Sequence, residues 1–185
     1  MKSYQITVQL EGITPILFDR YAGDNTTDLR PEDKMYFAKD GKSLVLPALN
    51  IMSFLSAQNT MSAPKRLLDS RKYKIITAGM LSYITISPWM IPFTADGKPV
   101  IFDGWNEQIT LNSSVARLEK GIPNPKSRPQ LDTPWELDFK INMLENQDVS
   151  IKLLEDIFHR GGIAIGLGTW RGLFGKFSVS KWIIE

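Results

Sequence analysis

The chain has no cysteine and a single histidine, His159. Without thiols there is no disulfide framework and no thiolate metal site, and one imidazole cannot build the usual transition-metal ligand set. No metal and no other cofactor is therefore expected. No apolar run reaches bilayer-spanning length. The opening MKSYQITVQL lacks the apolar region of a signal peptide and alternates like a strand. A cytoplasmic protein with no membrane partner is the expectation.

Acidic residues are also missing over a long stretch, with none from Ile157 to Ile184. Within it, Phe158 to Trp182 reads FHRGGIAIGLGTWRGLFGKFSVSKW. Six glycines fall between Gly161 and Gly175, and Trp170, Phe174 and Phe177 alternate with Arg160, Arg171, Lys176 and Lys181. Glycine lets backbone N–H groups approach a ligand and form anion-holding concavities. Interleaved cations and aromatics suit phosphates and bases. A tight structural loop before an edge strand accounts for the same residues, and both readings stay open. Two nucleotide motifs are excluded. A P-loop needs G-x-x-x-x-G-K-[ST], but Trp170 stands at its first glycine and Phe177 follows Gly175-Lys176. A dinucleotide fingerprint needs G-x-G-x-x-G between a strand and a helix. Here Arg171 stands at the third glycine, and the order runs from helix to strand.

The net charge of +2 over 185 residues is ordinary, but its distribution is not. Lys65 to Lys74 holds five cations and one acid, and Arg117 to Arg128 holds four and one. Acids gather in Asp19 to Asp40 and Asp132 to Asp156. Three basic segments, counting the C-terminal one, are expected to converge in the fold, unless they are simply solvated faces. The cluster Asp19, Asp24, Asp28, Glu32 and Asp33 reads as a solvated acidic loop rather than a hard-cation site.

Alternation predicts strands over 4–12, 75–86, 134–144 and 176–184. Helical spacing predicts helices near 47–58, entered at Pro47, and 149–160, capped by Asp148 or Ser150. Asp96-Gly97 marks a hairpin. With prolines at 123, 125 and 129, Arg117 to Pro129 is expected to be an exposed basic loop. The resulting order is β-α-β-β-α-β with an insertion at about 87–130, in one domain over 1–185. This predicts an α+β protein of ferredoxin-like (RRM-like) plan, an antiparallel sheet with two helices on one face.

A core of this plan whose second helix runs into a glycine-rich loop resembles the RAMP superfamily. The residues that carry the likeness are Gly161-Gly162-Ile163-Ala164-Ile165-Gly166-Leu167-Gly168, Trp170-Arg171-Gly172 and Gly175-Lys176-Phe177. The chain also resembles phage and prophage proteins that share an early G-x-T/S-P-L/I-L segment (Gly12, Thr14, Pro15, Ile16, Leu17), an R-P before W (Arg128-Pro129, then Trp135) and a late G-I/L-G-x-W-R with G-x-F. The resemblance implies a bacterial or phage-infected cell. It also implies a single-stranded nucleic acid (RNA or ssDNA) as partner, self-association into homo-oligomers or filaments, and protein partners in a CRISPR-like or phage complex. An inserted thumb wedges between nucleotides in the family's backbone subunits, and the hairpin at Asp96-Gly97 or the segment Lys120 to Arg128 would be its counterpart.

The leading expectation is a non-catalytic binding module. Its nucleic-acid-binding candidates are Arg160, Gly166, Gly168, Trp170, Arg171, Lys176, Lys120, Lys126, Arg128, Arg71 and Lys72. The glycine N–H groups would cradle phosphates, an exposed Arg171 would pair with one, and Trp170 would stack on a base. The alternatives are a metal-independent endoribonuclease of the same superfamily, with His159 as the weak catalytic candidate at the end of its helix, or a phage protein aimed at a host complex. Trp89, Trp105, Trp135 and Trp182 are expected in the core or an interface.

Overall fold

The computed structural model describes residues 2–117 and 119–185. Met1, and Leu118 within the basic segment, lie outside the described residues. The chain is α+β with antiparallel sheets.

The alternating segments pair as period-two patterns should. Strand β1 (Ser3–Gly12) buries Ile6, Val8 and Leu10. It lies between β9 (Glu136–Leu144), which buries Leu137, Phe139, Ile141 and Met143, and β10 (Phe177–Ile184). Strands β4 (Ile84–Ser87) and β5 (Met90–Ala95) pair with the far side of β9. Beyond them β3 (Val45–Pro47) and β6 (Lys98–Pro99) pair with β5. Asp96 and Gly97 both take positive φ (51° and 74°) in the turn between β5 and β6, as their sequence demands.

Helix α1 (Ala48–Ser56) buries Ile51, Phe54 and Leu55. Helix α4 (Ile151–Ala164) begins at Ser150, whose Oγ accepts from the Leu153 N–H at 3.1 Å. It runs past the predicted end at Arg160 and takes in Gly161 and Gly162. Those glycines serve close packing. A Cβ on Gly161 would stand 2.6 Å from Phe54 Cζ, and one on Gly162 would stand 2.5 Å from the Phe177 carbonyl oxygen.

Two expectations are corrected. Most of the predicted strand 75–86 is helix α3 (Tyr73–Tyr83), and only its last residues form β4. The β-branched run Ile75-Ile76-Thr77 suggests a strand, but Ile76, Thr77 and Met80 are buried at helical spacing. Packing on α1 and on α2 (Ala63–Leu67) overrides the local preference.

The predicted loop Arg117 to Pro129 is instead the second half of a long hairpin, β7 (Ile109–Arg117) and β8 (Pro123–Leu131), which forms a separate sheet with β2 (Ile16–Leu17). The prolines are tolerated because 123, 125 and 129 share one parity. The Pro129 carbonyl accepts from the Phe18 N–H at 3.1 Å, so odd residues of β8 turn their backbone polar groups away from β7. The missing N–H groups therefore fall on the outer edge, and the ladder to β7 is intact.

In a helix, Gly→Ala ordinarily stabilises by about 1 kcal/mol. At Gly161 the sign should reverse, with Gly161→Ala costing about 1–3 kcal/mol through overpacking on Phe54. Chemical denaturation of Gly161→Ala and of Gly161→Ala/Phe54→Leu checks this, since the second change should return part of the loss.

Candidate nucleic-acid interface

The loop between α4 and β10 is a folded plug rather than an open cradle. Gly166, Gly168, Gly172 and Gly175 all have positive φ. A Cβ on Gly168 would lie 2.6 Å from the Leu17 oxygen, and one on Gly175 would run into the Leu167 carbonyl. The glycine N–H groups, and most of their neighbours', are already used. Leu167 donates to Gly175 O (2.9 Å), Thr169 to Leu17 O (3.0 Å) and Gly175 to Pro15 O (2.7 Å). Gly166 donates to Gly161 O (3.1 Å), and Gly168 to Asn50 Oδ1 on α1 (3.0 Å). Lys176 N–H is held by Thr14 Oγ1 at 2.9 Å. The phosphate-cradling role expected of Gly166 and Gly168 is thus taken by the protein's own carbonyl and amide oxygens.

Arg171 also differs from expectation. It is largely buried, donating from Nε to Gly168 O and from Nη2 to Asn50 O, each at 3.2 Å. Burial pulls its guanidinium below the usual arginine range. It fastens the loop to α1. Trp170, at φ 54° and 37% exposed, turns outward beside Phe174, with ring centroids 5.6 Å apart.

Two of the three basic segments meet at this tryptophan. The Arg128 guanidinium lies 5.7 Å from the Trp170 ring centroid, within cation–π range. Arg128 Nε and Lys126 Nζ both reach Asp19 Oδ2, at 3.0 and 3.2 Å. Burial alone would raise the Asp19 carboxyl, but hydrogen bonds from Arg128 and Lys126, with their charges, outweigh it and hold it below the ordinary carboxylate range. Lys120 is exposed at the turn of the hairpin.

The remaining segment, Lys65 to Lys74, lies elsewhere, and so does Arg160 of the C-terminal one. Arg160, paired with Asp156 at 2.9 Å, reaches the Leu67 carbonyl at 3.4 Å. Arg71 pairs with Asp69 at 3.0 Å, and Lys72 is exposed at the start of α3. His159 is exposed within α4, several residues before its end, rather than at the terminus expected.

Trp135 is fully buried and donates from Nε1 to Thr14 O at 2.9 Å, whereas Trp89 and Trp105 are exposed. Asp24 and Asp40 close local turns by accepting from nearby N–H groups, which holds both carboxyls low. No group of three or more candidate metal ligands occurs among the described residues. No helix among them is long and apolar enough to cross a membrane.

The sheet face away from the helices carries Gln5, Thr7 and Gln9 opposite Asn142, Lys140 and Asp138. Neither β1 nor β9 offers an aromatic there. Asp19 and Asn50 were not foreseen as parts of this site. The one available signal for Asn50 is its polarity within the apolar run ALNIMSFL. No family model and no curated protein matches the chain.

Arg171→Ala leaves two carbonyls without their donor and should lower stability by about 1.5–3 kcal/mol, read as a drop in thermal midpoint. Asp19 gives a pH signature. Its folded pKa lies below the unfolded value, so as pH falls the unfolded chain takes up the proton first. The stability contributed by Asp19 is present above about pH 3.9 and is lost as pH falls through the lower, folded pKa. Urea melts across this acid window should show a shallower decline for Asp19→Asn than for the parent.

Proposed function

We propose that the protein is a non-catalytic binding module for single-stranded nucleic acid, with a ferredoxin-like core of the RAMP type that self-associates in use. The order β10-β1-β9-β4, all antiparallel, with α1 and α4 as the crossovers, supports the reading of the core. The hairpin β7–β8, inserted before β9, is in this reading the counterpart of the thumb.

The observation that carries the function is the Arg128–Trp170 stack. It brings a basic hairpin and an outward-facing tryptophan to one place, which is the pairing of cation and π-face that sequence-tolerant single-strand binders use. Trp170 supplies the stacking surface. Lys126 and Lys120, on the hairpin, meet phosphates, and Arg128 keeps the tryptophan in position. The glycine loop contributes by presenting Trp170 rather than by donating N–H groups. Catalysis has little support, because His159 is a solitary exposed imidazole on a helix and acid–base work needs a positioned partner.

Fluorescence polarisation with labelled single-stranded RNA and DNA, against the matching duplexes, tests the proposal. Single strands should be preferred, and affinity should fall steeply with salt. Trp170→Ala should weaken binding about 5- to 100-fold, the equivalent of about 1–3 kcal/mol for a stacked base. Binding that is absent at low ionic strength, or indifferent to both salt and Trp170, removes the reading.

A further inference from the structure

The face of β7–β8 that carries Arg128 holds more than this stack requires. Even-numbered residues share it, so Asn112, Ser114, Lys126 and Arg128 are neighbours across the ladder, Asn112 opposite Arg128 and Ser114 opposite Lys126. The segment after β2 covers the outer edge of β8. From it Lys34, 7% exposed, sends Nζ to the Ser127 carbonyl at 2.9 Å. Between that segment and the hairpin lies a cleft of about 500 Å³, lined by Asp28, Lys34, Ser114, Lys126 and Ser127 among others.

Its polar groups do not balance. Lys126 and Arg128 share Asp19, while the carboxylate paired with Lys34 among the described residues is Asp28, 3.8 Å away, which is 96% exposed and screened by water. Arg128 is only 6% exposed, yet its Nη1 has no partner among the described residues. The same holds for Ser114 Oγ and Asn112 Oδ1. Asn112 Oδ1 is an acceptor and lies outside the cleft lining, but Lys34, Lys126 and the free Ser114 hydroxyl leave the cleft rich in donors and positive charge, which an acceptor-rich anion would satisfy.

We propose that this cleft is an oxyanion site that takes a phosphate group. Lys34 and Lys126 supply charge and the Ser114 hydroxyl donates, all three from residues that line the cleft, and Arg128 adds positive charge from the neighbouring position on the same face of β8. Tetrahedral phosphate presents several acceptors at once, which matches donors arriving from two walls. In a strand-binding protein the group is a phosphate of the strand, and to that extent the inference rests on the reading above. The pocket itself requires only the anion.

Calorimetric titration with inorganic phosphate in a chloride background is the direct test. The parent should bind it at one site. Lys34→Met should weaken it about tenfold or more, and Ser114→Ala severalfold. Ser114→Ala should not lower the thermal midpoint in phosphate-free buffer, because a buried hydroxyl without a partner adds nothing to stability. That variant decides the matter if Lys34→Met fails to fold.

Two oligonucleotides, one with a 5′-phosphate and one with a 5′-hydroxyl, identify the source. Tighter binding of the first, erased by Ser114→Ala, assigns the site to a strand terminus. Equal binding of both, displaced by inorganic phosphate, assigns it to the internal backbone. No phosphate uptake by the parent, or uptake unchanged in both variants, overturns the site. Phosphate uptake without any strand binding keeps the pocket and removes the proposed function instead.

Discussion

Everything near the tryptophan depends on backbone meeting backbone without a side chain between. Gly168 lies against Leu17 and Gly175 against Leu167, at separations that any Cβ would fill. These approaches seat the late loop on β2. Strand β2 in turn pairs with β8 and holds the long hairpin against the main body. Remove the approach and three things are lost together: the entry into β10, the outward pose of Trp170 and the footing of the hairpin. The positive φ of Trp170 itself, rare for a bulky residue, persists because its surroundings over-determine it.

Asp19 is the electrostatic counterpart of that seat. It ends the segment that carries β2, and a single oxygen receives both Lys126 and Arg128. A carboxylate shared by two cations fixes where the hairpin crosses the core more than it adds net stability, since desolvation offsets much of the attraction. Of the basic candidates, Lys126 and Arg128 are gathered at this carboxylate, whereas Arg71 and Arg160 pair with acids of their own elsewhere.

Much of this was legible in the sequence, and the failures have physical causes. The alternation of Ile6, Val8 and Leu10, and of Leu137 to Met143, identified the central strands, and Ile151, Leu154, Ile157 and Phe158 identified the last helix, because each pattern has one buried face. Residues 73–83 misled because a β-branched run sits in a helix that packs on two others. The hairpin misled because prolines at alternate positions resemble a loop until their shared parity is noticed. The glycines suggested a ligand cradle, whereas in the fold they serve the packing of the loop on its own backbone. Close approach to a ligand and close approach to the chain's own backbone demand the same residue, and only the fold separates them. The linkage of Asp19 to Arg128 spans 109 positions along the chain, beyond the reach of any local pattern.

The shared parity of the prolines also gives the hairpin a handed edge. Of the four odd positions from 123 to 129, only Ser127 keeps an N–H, so the side of β8 that meets β2 and the segment after it offers acceptors but almost no donors, and Phe18 N–H and Lys34 Nζ donate to it there. The outer side of β7 carries no proline, and Leu111 and Val115 are exposed there. The two sides of the hairpin therefore differ in kind: β8 meets its neighbours through carbonyls, whereas β7 keeps its own N–H groups along its outer edge.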